Sequence, residues 1–310
     1  MPISLPKGLP AGQVLAAEGV EVVSGPALHS GGARPLRICL VNLMPKKVAT
    51  ETQICRLLGA TAIPVAVTLC VPDSYQSRST PESHIAAFYR RWSQIRDQRF
   101  EGLVVTGAPI ETLPFEAVDY WTDLCAMLDW ARSRIASSLY ICWAAQAALY
   151  RFRGVPKHQR AAKLSGIYPQ RVTSAESRLM RGFGTEFPVP VSRYTEVRAD
   201  DLPAGLNVLA ESAETGLCLI EDRANRAICM FNHLEYDAGT LREEFVRDQL
   251  AGKPVAVPAN YFPDDDPARP AMNVWRPSAH LLFRNWLAEI ERLTRSVRHQ
   301  ECVPGSPAPA

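Results

Sequence analysis

The chain has 310 residues, 47% of them hydrophobic and 21% charged, with a formal net charge of +2. This is ordinary for a globular protein of one large or two small α/β domains. No basic run carries interleaved aromatics, and no apolar stretch approaches the ~20 residues of a membrane-spanning helix, so neither a nucleic-acid nor a membrane partner is expected. Met1 to Lys7 lacks the apolar core of a signal peptide, and the expected location is cytoplasmic.

Residues 1–35 are rich in glycine, proline and small polar residues and read as an N-terminal arm before the folded core. Near-continuous apolar runs then predict buried parallel strands at Ile38–Val41, Val65–Leu69 and Leu103–Val105. Thr80-Pro81-Glu82 predicts a capped helix running towards Trp92 and Ile95. A second helix is predicted from Pro114 to about Ser133, with Phe115, Val118, Trp121, Leu124, Cys125 and Leu128 at helical spacing.

A strand at 138–141 and a helix after Cys142 complete an alternation that argues for a doubly wound parallel sheet flanked by helices, with its ligands at the carboxyl ends of the strands. Further strands are predicted at 206–209, 217–220 and 227–231. A capping box at Thr240–Glu243 opens a helix to about Leu250, a Pro- and Asp-rich loop covers 254–277, and a final helix spans about Ala279 to Leu293. The folded α/β unit is thus 36–295, and 296–310 is expected to be a disordered tail.

Eight cysteines stand at 39, 55, 70, 125, 142, 218, 229 and 302, with no Cys-x-x-Cys and no His-x-x-x-His, so no metal site is expected. There is no Gly-x-Gly-x-x-Gly and no Walker loop. Cys142 differs from the other cysteines in its place, between an apolar strand and an alanine-rich helix start. A strand-to-helix turn lifts a sulfur to the sheet's carboxyl edge, where helix amides favour its thiolate. This is the layout of a nucleophile elbow carrying cysteine in place of serine; locally, a packed cysteine fits equally well.

The second key segment is Phe231-Asn232-His233-Leu234-Glu235-Tyr236-Asp237, which follows an apolar strand. His233 and Glu235 are two apart, so their side chains share one side of an extended segment. A carboxylate there orients an imidazole that serves Cys142, in the manner of a nucleophile, base and orienter. His29, His158 and His299 fall in loop-like or terminal stretches, and His84 and His280 on polar helix faces.

Several separated motifs then carry a resemblance. They are Asn42-Leu43-Met44-Pro45-Lys46-Lys47, Val105 to Pro109, Cys142 to Leu149, Lys163-Leu164-Ser165-Gly166, Ser192-Arg193-Tyr194, His233 to Asp237, Asn260 to Pro263 and Asn285-Trp286-Leu287. Over about residues 1–295 the chain resembles the homoserine O-acyltransferases of methionine biosynthesis, transsuccinylases and transacetylases whose fold is like that of class I glutamine amidotransferases. The resemblance implies ping-pong acyl transfer. Cys142 takes the acyl group from acyl-CoA as a thioester, and the homoserine hydroxyl, deprotonated by His233 that Glu235 holds, attacks it. Thioester-to-thioester exchange is nearly isoenergetic, so the intermediate is easily reached and still reactive.

The resemblance places the backbone amides of Trp143 and of Gly107 or Ala108 in an oxyanion hole, worth ~3–4 kcal/mol per donor. It sets Arg247 against the substrate carboxylate and lines the substrate site with Lys163 and Ser192. Arg247 fits an exposed helix arginine as well. Lys46 or Lys47 could reach the site or be a solvated loop lysine. Family members using succinyl-CoA have glycine where this chain has Glu111; those using acetyl-CoA have glutamate. A carboxylate there repels a succinyl carboxylate, so acetyl-CoA is the expected co-substrate, with no permanently bound cofactor.

Asn232 and Leu234 depart from the glycine and proline common at these positions, which leaves a serine acceptor open; one methylene is worth only ~1–3 kcal/mol. A glutamine amidotransferase-type hydrolase and a non-enzymatic binding module are the rival readings. The expected state is a homodimer.

Overall fold

The computed structural model describes residues 3–25, 34–77 and 79–301, with side chains through residue 295. In chain order the elements are β1 (Ile3–Leu5), α1 (Pro10–Ala17), β2 (Val22–Ser24), β3 (Leu36–Val41), α2 (Lys47–Gly59), β4 (Val65–Val71), α3 (Glu82–Phe88), β5 (Tyr89–Arg91), β6 (Gly102–Val105), α4 (Trp121–Arg134), β7 (Ser137–Ile141) and α5 (Trp143–Arg153). They continue with β8 (His158–Val172), β9 (Glu186–Glu196), β10 (Asn207–Ser212), β11 (Gly216–Asp222), β12 (Ala227–Met230), α6 (Thr240–Leu250) and α7 (Arg276–Glu301).

One sheet takes all the strands, in the order β2-β1-β4-β3-β6-β7-β12-β11-β10-β8-β9, with β5 paired to β4. From β2 through β12 the pairings are parallel; from β12 through β11, β10 and β8 to β9 they are antiparallel. The sheet is therefore mixed, mostly parallel and flanked by helices. Its parallel half has the continuous apolar strands that helices on both faces demand, since β6, β7 and β12 are buried at every residue.

The segment expected to be an arm is part of this sheet. Ile3 and Ser4 pair with Val65 and Ala66 of β4, and β2 pairs parallel outside β1. Ile3, Leu5, Leu9, Ala11 and Leu15 are buried, so the apolar spacing was present but hidden among prolines and glycines. The tail expected from residue 296 starts later, since α7 continues through Glu301; residues beyond 301 lie outside those described.

Two helices are shorter than predicted. α3 stops at Phe88, where Tyr89–Arg91 pairs with Leu69–Val71 as β5. Thr80 does not cap it; its hydroxyl donates to the Pro45 carbonyl. The region from Pro114 breaks into a 3-10 turn at Phe115–Ala117 before α4. At α6 the N-cap is Gly239 with no side-chain cap, and Thr240 instead accepts from the Asp237 amide.

A four-way ion cluster ties distant parts of the chain together. Arg56 of α2 pairs with Glu18 at 2.6 Å and with Asp237 at 2.6 Å, and Arg276 of α7 pairs with the same Asp237 oxygen at 2.7 Å. Gly166 of β8, with φ 151°, lies against the backbone of Ala259, which a side chain there would strike; Ile167 N–H donates to Ala259 O at 2.8 Å. The 254–277 loop is thereby laid over β8.

Candidate active site

Four strands end side by side at one edge of the parallel half. After β3 come Asn42 and Leu43, after β6 Thr106 and Gly107, after β7 Cys142, and after β12 the 231–237 segment. The Thr106 hydroxyl accepts from the Leu43 amide at 2.8 Å, and Cys142 N–H donates to the Met230 carbonyl at 2.7 Å. These bonds hold the carboxyl edge in register.

Cys142 has φ 52° and ψ −115°, a backbone conformation that costs about 1–3 kcal/mol for a residue with a side chain. The strain is that of a sharp strand-to-helix turn, which lifts the sulfur above the sheet while Trp143 begins α5. The Trp143 and Ala144 amides that open the turn have no carbonyl before them in the helix, whereas Ala145 N–H already donates to the Cys142 carbonyl at 3.0 Å. Gly107 sits behind the nucleophile; a Cβ on it would come 3.2 Å from the Cys142 Cβ. The same Cβ would lie 3.9 Å from the Cys142 sulfur, so the Gly107 backbone passes close to the nucleophile.

The His233 Nδ1 is 2.7 Å from Glu235 Oε1, and the Cys142 sulfur is among the groups that act on the ring. Cys142, His233 and Glu235 are 5%, 4% and 5% exposed, so the line of three is screened from bulk water. Burial by itself pushes the imidazole down, but the Glu235 carboxylate and the Cys142 sulfur together outweigh it and hold His233 well above its ordinary value. The ring is fixed further by stacking on Tyr236, with centroids 4.1 Å apart and planes at 19°.

From Tyr236 a polar chain runs outwards. Its hydroxyl donates to Glu244 Oε1 at 2.8 Å, and the Ser192 hydroxyl donates to Glu244 Oε2. Lys163 lies 2.8 Å from Asp248 Oδ2 and 3.6 Å from Glu244 Oε2. Arg247, half exposed, pairs with Asp248 Oδ1 at 2.8 Å. Glu111 accepts the Tyr194 amide at 3.0 Å, with His233 and Lys163 among its charged neighbours. Burial pushes its carboxyl above the ordinary value, against the pull of the Tyr194 N–H and those two cations. Carboxylates and cations thus alternate along the contacts that lead out from Tyr236.

Cys142, His233, Glu235, Gly107, Glu111, Lys163, Ser192 and Arg247 are therefore brought together. Lys46 and Lys47 are not. Lys46 is exposed and pairs with Glu243 at 3.0 Å. Lys47 is fully buried, with Nζ donating to the carbonyls of Asn42 and Met44 and lying 4.3 Å from the Tyr75 ring centroid. Burial pushes its ammonium down to about 7, against the pull of Glu51.

Glu244 and Asp248 were missed from the sequence, and Tyr236, Tyr194 and Arg193 stood only inside motifs with no role assigned. Glu244 and Asp248 are four apart on α6 and share a face with Thr240 and Arg247, which is the signal that marks them. His84 was misread as well, since it lies 2.8 Å from the buried Glu51 carboxylate. No cluster of His, Cys, Asp and Glu among the described residues could hold a metal, and none of their helices is long and apolar enough to cross a membrane.

The sheet and its elbow define a class I glutamine amidotransferase-like fold. A glutamine amidotransferase of Thermotoga maritima aligns with TM-score 0.54 and 14% identity over 84% of this chain and 99% of its own. A second glutamine amidotransferase, from Methylobacillus flagellatus, aligns with TM-score 0.52 and 15% identity over 84% and 94%. At such identities the likeness is one of fold. Within that fold, the sequence is specific: the family model described as homoserine O-succinyltransferase matches residues 2–295, and the chain belongs to this family. Proteins named homoserine O-acetyltransferase from Rhizorhabdus wittichii and Brucella canis are 51% and 50% identical over 95% of this chain, covering 92% and 97% of their own lengths.

Proposed function

We propose that this chain is a homoserine O-acetyltransferase, moving acetyl from acetyl-CoA to the L-homoserine hydroxyl by a ping-pong cycle through a Cys142 thioester, a step of methionine biosynthesis. The observation that carries the reading is the buried Cys142–His233–Glu235 line set beside the alternating charges of Glu111, Lys163, Glu244 and Asp248. In the first half-reaction the Cys142 sulfur adds to the thioester carbonyl, the bond to the CoA sulfur breaks, and the His233 imidazolium gives that sulfur its proton. In the second, His233 takes the homoserine hydroxyl proton, the oxygen adds to the acyl-enzyme, and the Cys142 sulfur leaves. Both tetrahedral oxyanions fall where the amides of Trp143, Gly107 and Ala108 can serve them, at ~3–4 kcal/mol per donor.

Relatives at about half identity carry the acetyltransferase name, and Glu111 lies within electrostatic reach of the imidazole, where a succinyl carboxylate would meet like charge. The family model's own description favours succinyl-CoA as the second reading. A two-by-two assay of acetyl- or succinyl-CoA against homoserine or serine decides among these. Intact-mass measurement after acetyl-CoA alone is expected to find one acetyl adduct, absent in Cys142→Ala; glutamine hydrolysis without CoA would overturn the reading.

A further inference from the structure

Thr106 is buried just after β6, and its hydroxyl makes two bonds that the cycle above does not explain. It accepts from the Leu43 N–H at 2.8 Å and donates to the Gly107 carbonyl at 3.1 Å. One side chain thereby joins the ends of two neighbouring strands, β3 and β6. The Leu43 N–H belongs to the same peptide as the Asn42 carbonyl, and that carbonyl accepts from the buried Lys47 ammonium. The Asn42 side chain is held as well, its Nδ2 donating to the Tyr89 hydroxyl at 2.9 Å. The peptide before Leu43 is therefore fixed at both of its polar ends. With its lone pair taken by that fixed N–H, the Thr106 hydroxyl turns its proton to Gly107.

A trans peptide is planar, so pinning its carbonyl also sets its N–H, which points the opposite way. No described peptide bond is cis. The N–H that shares a peptide with the Gly107 carbonyl is that of Ala108, and it is aimed away from Thr106. On its other side Ala108 is held by its own carbonyl, which accepts from the Ile110 N–H at 2.8 Å. Among the described residues neither the Gly107 nor the Ala108 N–H finds an acceptor, although both residues are buried. Buried amides are rarely left so. These two lie where the Gly107 backbone passes the Cys142 sulfur. Glycine alone would let this peptide rotate, because nothing on its own side chain resists it.

We propose that Thr106 is a positioning residue for acyl transfer, a hydroxyl bridge that holds the Gly107–Ala108 peptide with the Ala108 N–H facing the oxyanion formed on Cys142. The inference rests on the reading of Cys142 as an acylated nucleophile and adds what keeps one oxyanion donor in place. Valine has nearly the shape of threonine but can neither accept nor donate at this point. Serine can do both.

Two reactions of Cys142 that differ in one respect test this. With p-nitrophenyl acetate the sulfur adds to the ester carbonyl, an oxyanion forms, and p-nitrophenolate leaves as the S-acetyl enzyme is made. With iodoacetamide the sulfur–carbon bond forms as iodide leaves, and no oxyanion arises. Loss of one oxyanion donor costs about 100-fold or more, so loosening one is expected to cost about tenfold. Thr106→Val is therefore expected to release p-nitrophenolate about tenfold more slowly, with the Cys142→Ala background subtracted. Alkylation of the Cys142 peptide, followed by mass spectrometry, stays at the wild-type rate. Thr106→Ser restores most of the ester reaction. If circular dichroism finds the valine variant unfolded, Thr106→Ala takes its place, its smaller side chain leaving room for water at the Leu43 N–H.

Unchanged ester acylation in a folded variant without the hydroxyl overturns the proposal. So does an equal loss of alkylation, which marks a displaced sulfur, and so does a serine variant as slow as the valine one. If the wild type takes acetyl from the ester but none from acetyl-CoA, and Thr106→Val still slows the ester, the acetyl-CoA reading fails and this one stands. If acetyl-CoA loads Cys142 equally fast in wild type and Thr106→Val, this one fails and the acetyl-CoA reading stands.

Discussion

Glu111→Gly isolates the choice of acyl donor. In the wild type one Glu111 oxygen accepts the Tyr194 amide at 3.0 Å, and the group lies within the electrostatic reach of His233 and Lys163. A succinyl chain attached to Cys142 places a second carboxylate in this space. At ~5 Å and an effective dielectric of ~20 the two repel by roughly 3 kcal/mol, about two orders of magnitude in rate. Glycine removes both charge and bulk, so the succinyl-to-acetyl ratio of kcat/KM is expected to rise about 100-fold. It also strips the Tyr194 amide of its acceptor, at about 1–3 kcal/mol of stability. Glu111→Gln keeps volume and acceptor while removing the charge, and so separates repulsion from crowding. Because burial holds the Glu111 carboxyl above its ordinary value, lowering the pH of the wild-type assay protonates it early; succinyl use gains on acetyl use as pH falls towards that raised value. The assay is thioester consumption with each donor at saturating homoserine. A ratio unchanged in both variants and flat with pH refutes the assignment.

Two other perturbations follow from the geometry. Gly107→Ala puts a methyl 3.2 Å from the Cys142 Cβ; kcat is expected to fall at least tenfold, with the melting temperature changed by only a few degrees, and full activity would show that the 107–108 amides lie clear of the oxyanion. Lys47→Met tests the buried ammonium. With Lys47 pushed down to about 7 by burial when folded, and near 10.4 when unfolded, the unfolded chain binds more protons between those values. Wild-type stability therefore gains on the variant by up to about 2.7 kcal/mol between pH 7.5 and 9.5, and is indifferent to this group below about 7. Parallel curves of denaturation midpoint against pH would refute it.

The parallel half of the sheet was legible because its strands are unbroken apolar runs, and the position of Cys142 followed from counting where β7 stops and α5 starts. His233 and Glu235 were legible for the same reason at β12. The long β8–β9 hairpin was not, since residues such as Gln159, Arg160 and Lys163 give it no clean alternation. Its register also slips between Gln159 and Leu164. Lys163, Ser192 and Arg193 all lie on that hairpin, so this half of the candidate site came from family resemblance or was missed. Lys47 misled because a lysine after a strand suggests solvent, and only the tertiary fold closes Tyr75 and Tyr89 over it.

Because Asp237 stands two residues after Glu235 and is gripped by Arg56 and Arg276, the carboxylate that steadies the imidazole is moored to an early helix and to the last one. Glu18 completes the mooring from the turn after α1. Two helices remote in sequence thus share one carboxylate as their meeting point, a residue just downstream of the pair that sets the ring.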